Sequence, residues 1–269
     1  MSNLQNMPSD LVKLRKDILS RNWPLDDEIT STAAALPSHS FLHNPSGQYA
    51  FIYLTQYIKA FAEKHFCVPF SQLEILDWGC GKGQVSKLIR DLGPSRLESC
   101  DLQIEQNDDD STFGQQTPIL DRFNIQVTPL THTYKLPYDD SSFDIILSFG
   151  VLEHVANDAA SIGEITRVLR PGGLFFCFYL PTKLSWTQKV ARSRGDEYHD
   201  RLYTRKSVEA LLKPVGLQLR DFWYRQLFPK NTIHYPSFRT FEHIDQFLTR
   251  YTPLRSFATN IEFVAAKPK

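Results

Sequence analysis

Ile75-Leu76-Asp77-Trp78-Gly79-Cys80-Gly81-Lys82-Gly83 is the stretch that decides the fold. A short apolar run ends in an acid. Three glycines follow at alternate positions, and a helix-like segment, Gln84–Leu92, starts directly after them. This is the pattern of a buried strand that stops at a tight turn with a carboxylate at its tip. A turn so poor in side chains lets a ligand lie directly against the backbone, where a β-carbon would otherwise clash.

On either side of the turn, strand patterns alternate with helix patterns. Strands are expected at Leu73–Asp77, Arg96–Asp101, Phe123–Pro129, Phe143–Phe149, Leu174–Leu180, Leu217–Trp223 and Asn260–Ala266. The continuous apolar run Phe143–Phe149 is typical of a parallel strand covered on both faces. Helices are expected at Gln84–Leu92, stopped by Gly93-Pro94, at Ala159–Leu169, stopped by Arg170-Pro171-Gly172-Gly173, and at Arg205–Lys213. Alternation of this kind indicates an α/β, doubly wound, mostly parallel sheet. Residues 1–70 read as an N-terminal helical cap segment. They hold a charged helix near Asp10–Arg21 and an amphipathic one over Gln48–Phe66, with Phe51, Leu54, Tyr57, Ile58 and Phe61 at helical spacing. Residues 71–269 read as the main domain. Glu105–Pro118, with Asp108, Asp109 and Asp110, reads as an exposed acidic loop. Residues 181–204 and 225–258 do not fit the repeating unit, are rich in aromatic and basic side chains, and are expected to cap the site.

The bulk composition narrows the function. Lys plus Arg and Asp plus Glu number 30 each, which disfavours nucleic acid as the main partner. Charge is nonetheless uneven: residues 1–182 carry 14 basic and 22 acidic side chains, and residues 183–269 carry 16 and 8. That C-terminal excess suits an anionic or phosphate-bearing acceptor. No apolar run approaches the roughly 20 residues of a membrane span. The first residues lack the basic start and apolar core of a secretory signal. Cys67, Cys80, Cys100 and Cys177 are widely spaced, without a C-x-x-C pair. A reduced, cytoplasmic protein with no metal site is the expectation.

The glycine spacing separates two kinds of nucleotide site. The dinucleotide fingerprint G-x-G-x-x-G requires glycine where Gln84 stands. The pattern here is D-x-G-x-G-x-G, which resembles the first motif of class I S-adenosylmethionine-dependent methyltransferases. Lys135-Leu-Pro-Tyr-Asp-Asp-Ser-Ser-Phe-Asp-Ile-Ile-Leu-Ser-Phe-Gly-Val-Leu-Glu-His-Val155 is similar to the L-P-F/Y-x-D-x-x-F-D…L-E-H segment of the subfamily that includes ubiquinone and menaquinone biosynthesis enzymes. Arg167-Val-Leu-Arg-Pro-Gly-Gly173 looks like that family's R-V-L-K/R-P-G-G turn. The resemblance runs from about Leu73 to Leu180.

The resemblance implies a seven-stranded sheet of order 3-2-1-4-5-7-6 with an antiparallel last strand. S-adenosyl-L-methionine would be the cofactor. Gly79, Cys80, Gly81 and Gly83 would meet its methionine part and Asp77 its amino group. Asp101, 18 residues after Gly83, would accept both ribose hydroxyls, and Leu102 would pack on the adenine. Where the family usually has an aspartate for the adenine amino group, this chain has His132, whose neutral ring can accept one hydrogen bond beside the backbone of Thr133. Ser148, Phe149 and Gly150 would pass along the methionine chain. His154 is the candidate general base, and it is also the kind of histidine that caps or packs a following helix. His199 and His234 are alternatives, while Tyr198, Tyr203, Trp186 and Trp223 could wall an acceptor pocket or form core, the latter favoured for Trp223. Leu180–Lys189 and Tyr198–Tyr203 loosely resemble methyltransferases of glycan and lipid-linked sugar pathways. The implied function is methyl transfer to a small-molecule acceptor, anionic or carrier-linked, at an oxygen of a natural-product, sugar or lipid-linked substrate. A non-catalytic S-adenosylmethionine-binding partner subunit and a nicotinamide-dependent oxidoreductase are the competing readings.

Overall fold

The computed structural model describes residues 9–33, 42, 44–102, 118–195, 201–229 and 237–269. Its strands are β1 Glu74–Trp78, β2 Arg96–Leu102, β3 Val127–Leu130, β4 Phe143–Phe149, β5 Leu169–Pro181, β6 Gln218–Arg225 and β7 Asn260–Ala266. They form one sheet in the order β3-β2-β1-β4-β5-β7-β6. β1 pairs in parallel with β2 and β4, β2 with β3, and β4 with β5. β7 runs antiparallel to both β5 and β6. This is the order and hand that the resemblance implies.

The helices are α1 Ser9–Ser20, α2 Asp27–Ala33, α3 Pro45–Phe66, α4 Gln84–Asp91, α5 Pro118–Arg122, α6 Asp158–Val168, α7 Trp186–Ser193, α8 Arg205–Leu212 and α9 Phe238–Tyr251. α3 starts on Asn44, whose side chain accepts from the Ser46 N–H, with proline at the first turn, and ends at Cys67 in the left-handed region. Each end thus satisfies backbone groups that a bare helix leaves open.

The sheet divides the interior into two cores, because successive strand side chains point to opposite faces. On β4, Ile145 and Leu147 join α3 and α4 on one face, whereas Phe143 and Ile146 join α6 and α8 on the other. Tyr57 of α3 sets its ring edge-on to Trp223 at 5.2 Å and to Phe176 at 6.4 Å. Full burial of each such side chain contributes about 1.5–3 kcal/mol before entropy is subtracted.

Two strand boundaries differ from the sequence reading by more than two residues. The third strand covers Val127–Leu130, not Phe123–Pro129. Pro118 opens α5, Phe123 leaves its end, and the Phe123 ring lies 5.1 Å from Lys87 Nζ and 5.8 Å from the Arg90 guanidinium carbon. Asn124 then takes φ 48° and turns the chain before the strand can start. The fifth strand begins at Leu169, which pairs with Phe143; the register shifts before Leu174 meets Ile145, so the Arg170–Gly173 turn is absorbed as an irregularity inside the strand. The acidic triplet Asp108–Asp110 lies outside the described residues.

Candidate functional site

The glycine turn is tied to β2. The N–H groups of Gly79 and Cys80 both donate to the Cys100 carbonyl, at 2.8 and 3.1 Å, and the Gly83 N–H donates to Cys80 O at 2.9 Å. All three glycines have positive φ, at 73°, 51° and 85°. Their surroundings differ. A β-carbon at Gly79 would sit 2.4 Å from Val151 Cγ2, and one at Gly83 would sit 2.4 Å from Leu120 Cδ2. The protein's own packing therefore demands those two glycines. A β-carbon at Gly81 would meet nothing within 4 Å. Only there does the turn offer bare backbone to a ligand.

Two carboxylates flank this turn at the C-terminal ends of adjacent parallel strands, the edge where open α/β sheets bind ligands. Asp77 is buried, and its Oδ2 accepts from Ser86 Oγ at 2.6 Å. Ser86 in turn receives the Ser99 hydroxyl at 2.9 Å. Burial pushes the Asp77 carboxyl up to about 7, opposed by the Ser86 hydrogen bond and reinforced by the charge of Asp101. Asp101 Oδ2 accepts from the Gly81 N–H at 2.6 Å, and Oδ1 accepts from the Leu102 N–H at 2.7 Å. Burial raises the Asp101 carboxyl too, against those two bonds. Two ionisable acids at adjacent strand ends, one of them buried, favour an arriving cation.

The end of β4 forms the next wall. Ser148 is buried between Trp78 of β1 and Cys177 of β5. The Phe149 ring stacks on Phe51 at 5.9 Å and tilts against Tyr179 at 6.2 Å. Gly150, with φ 69°, donates its N–H to Phe178 O at 2.9 Å. Beyond it a turn carries Glu153 and His154. Glu153 is buried, and burial pushes its carboxyl up to about 8. The His154 side chain is 49% exposed, with Nε2 3.9 Å from Glu153 Oε1. Arg201 donates to the carbonyls of Val155 and Ala156, and the Tyr203 hydroxyl donates to Leu152 O at 3.2 Å. The segment after β5 thus clamps the turn that presents His154 at the ligand edge.

The other candidates are placed as follows. Leu102 is 51% exposed at the tip of β2. Thr133 is exposed on the turn after β3. His132 Nδ1 accepts from the N–H groups of Tyr134 and Lys135 at 3.2 and 3.1 Å. Its acceptor nitrogen is therefore committed to its own turn, and the neutral ring carries its proton on Nε2. This reverses the polarity expected for that side chain. Tyr203 and Trp223 are buried core residues, whereas Trp186 is 38% exposed and donates Nε1–H to Leu227 O. Tyr198, His199 and His234 lie outside the described residues.

The sequence reading missed the group behind this edge. Tyr179, at the end of β5, has φ 62° and stacks on Phe51 at 5.3 Å. Its N–H donates to Glu262 Oε2 at 2.6 Å, and Glu262 Oε1 accepts from Arg225 Nε at 2.8 Å. Arg225 is fully buried, 4.8 Å under the Tyr179 ring, with NH1 3.9 Å from Glu242 of α9. Nothing local marks these residues, which meet only through the β5-β7-β6 pairing.

Comparison with known proteins agrees with this architecture. The family described as "Methyltransferase domain" matches residues 76–177. A ubiquinone biosynthesis O-methyltransferase of Parvibaculum lavamentivorans is 30% identical over 182 residues, 61% of this chain and 69% of that protein. A probable S-adenosylmethionine-dependent methyltransferase of Mycolicibacterium smegmatis is 28% identical over 153 residues, 55% of this chain and 53% of that one. The chain spans about half the length of the first curated relatives it matches. Among solved structures, the [4+2]-cyclase SpnF superposes with a TM-score of 0.54 at 18% identity, covering 91% of this chain and 93% of that one, which speaks for the fold alone. With sheet order, turn and sequence likeness in agreement, the chain belongs to the class I S-adenosylmethionine-dependent methyltransferases.

Proposed function

We propose that this chain transfers a methyl group from S-adenosylmethionine to an oxygen of a small molecule. The observation that carries the reading is the open backbone of Gly81 beside the buried carboxylate of Asp77 and the half-buried one of Asp101. These residues fit the cofactor. Asp77 would hold its cationic amino group. Each Asp101 oxygen, having accepted one backbone N–H, keeps capacity for a ribose hydroxyl. Leu102 would cover one adenine face. His132 would donate Nε2–H to the ring, leaving the amino group to the backbone near Thr133. Cys80 and Ser148–Gly150 would line the methionine part.

When bound, the cofactor supplies an activated methyl group on its sulfonium, so the chain's own work is alignment, dehydration and proton handling. His154 would take the acceptor's proton as the new bond forms. Burial pushes the carboxyl of its neighbour Glu153 up to about 8. The aromatic wall of Phe51, Phe149 and Tyr179 would exclude water behind the methyl carbon. An oxygen acceptor is supported by the O-methyltransferase likeness and a polar acceptor by the basic C-terminal third. Four free cysteines accord with a reducing, cytoplasmic setting, and among the described residues no helix is long and apolar enough to cross a membrane.

Calorimetry with S-adenosylhomocysteine, followed by transfer of labelled methyl groups to a panel of phenols and sugars, tests this. Binding followed by label on an oxygen is the expected result. No binding, or label on nitrogen only, would sink it.

A further inference from the structure

A groove of about 640 Å³ opens beside β6, at the edge of the sheet opposite β3. β6 lies four strands from β1, roughly 20 Å across at about 4.8 Å per strand. The groove is therefore separate from the glycine turn. Its volume is that of a ligand pocket.

Among the described residues that line it, five are Arg or Lys and none is Asp or Glu. Arg15 is neutralised from behind by Asp221. Lys16, Arg250 and Arg255 have no carboxylate partner among the described residues. Arg205 lies 5.1 Å over the Phe222 ring, and Arg250 lies 5.2 Å over that of Tyr251. Burial raises the Tyr224 hydroxyl, and the charges of Arg255 and Arg205 both oppose this, so two guanidinium groups converge on one phenol.

The wall formed by α9 is unusual for a surface helix. Beside Phe238 it buries Glu242, Asp245 and Thr249, while it exposes Ile244, Phe247 and Tyr251. Glu242 lies 3.9 Å from Arg225, and Asp245 accepts the N–H groups of Gln226 and Phe228. The helix thus turns its acids inward and lends the groove rings, Phe247 and Tyr251, each 59% exposed. The two rings meet each other at 5.3 Å and still stand in water beside unpaired cations, an arrangement that suits a ligand with a flat ring and a strong negative charge.

We propose that this groove is a second ligand site that takes an organic phosphate bearing a ring, a nucleoside diphosphate being the simplest such chemistry. Lys16, Arg250 and Arg255 hold the phosphates, and Phe247 and Tyr251 stack on the ring. This stands independently of the methyl-donor reading.

Uridine diphosphate is the probe, because it lacks the adenine that the donor site would take. Titrated into the full chain by calorimetry, it should bind one site whether or not saturating S-adenosylhomocysteine is present. Lys16→Glu, Arg250→Glu and Arg255→Glu should each weaken it about tenfold, with circular dichroism and S-adenosylhomocysteine affinity unchanged. Uridine should bind at least about tenfold more weakly, and so should inorganic pyrophosphate. Loss of binding on adding S-adenosylhomocysteine would overturn the proposal by placing the probe in the donor site. Indifference to all three charge reversals would overturn it, as would pyrophosphate binding as tightly as uridine diphosphate. Retention on phosphatidylglycerol vesicles without nucleotide binding would overturn it in favour of a lipid surface. Binding of neither would leave the groove without this function.

Discussion

Asp77 works against the fold that holds it. Its carboxyl stands near 7 in the folded chain, against an ordinary value near 4. Between those values the folded state keeps a proton that the unfolded chain has released, so this group makes stability fall as pH rises from about 4 to about 7. Asp77→Asn removes that dependence. The variant should melt higher than the parent at pH 8, by about 2–4 °C for each kcal/mol relieved, and at a similar temperature at pH 4. Its affinity for S-adenosylhomocysteine should fall at least about tenfold. A variant that loses stability and keeps affinity would refute both halves. The glycines divide in the same way. Gly81→Val should stay folded and lose the cofactor, whereas Gly79→Ala should lose stability first, because its β-carbon strikes Val151; thermal melting beside calorimetry separates the two. The sequence made Asp77 and the three glycines legible. It could not say that Gly79 and Gly83 answer to Val151 and Leu120, since those contacts arise only after the chain has folded.

Among the elements, β5 and α9 are joined through Arg225. A fully buried ion cluster stabilises only while every charge keeps its partner. Glu262→Gln leaves the guanidinium with Glu242 at 3.9 Å and should cost about 3–5 kcal/mol in urea unfolding. The triple variant Arg225→Met, Glu242→Gln, Glu262→Gln should recover most of that loss; failure to recover would mean that the cluster does more than neutralise itself. This junction explains why α9 was illegible. Periodicity assigns a helix's apolar stripe to the interior, and here three of the four buried positions, Glu242, Asp245 and Thr249 beside Phe238, are polar. The strands β4 and β7 were legible to the residue, because mostly apolar runs define them. β3 was not, because Phe123 follows α5 and sets its apolar ring against Lys87 and Arg90 of α4 before the strand starts.

Across the whole molecule, Asp77 and Glu153 both hold protons near neutrality at the ligand edge. Both folded values are raised, so each favours the acidic side. For the cofactor-free chain, the contribution of these two groups declines from about pH 4 upward until both are ionised above about 8. A cationic ligand that ionises Asp77 should release a proton. The heat of S-adenosylhomocysteine binding at pH 7 should therefore differ between phosphate and Tris buffers by an amount that sets the proton count, and Asp77→Asn should shrink that difference. Alternating strand and helix patterns made the doubly wound class legible, whereas the sheet order was legible only through the family resemblance. Which end of the sheet gathers cations was not, since residues 9–20 and 205–255 meet only in three dimensions.

The bond from the Gly81 N–H to Asp101 has a kinetic side. The turn satisfies the N–H groups of Gly79, Cys80, Gly81 and Gly83, with Cys100, Cys80 and Asp101 as acceptors, so it has no need to collapse or refold when a ligand arrives. A loop that is already closed on itself imposes no opening step on encounter. Association should then proceed as a single phase whose rate rises linearly with ligand concentration, and variants around the turn should differ in how long the ligand resides rather than in how fast it arrives.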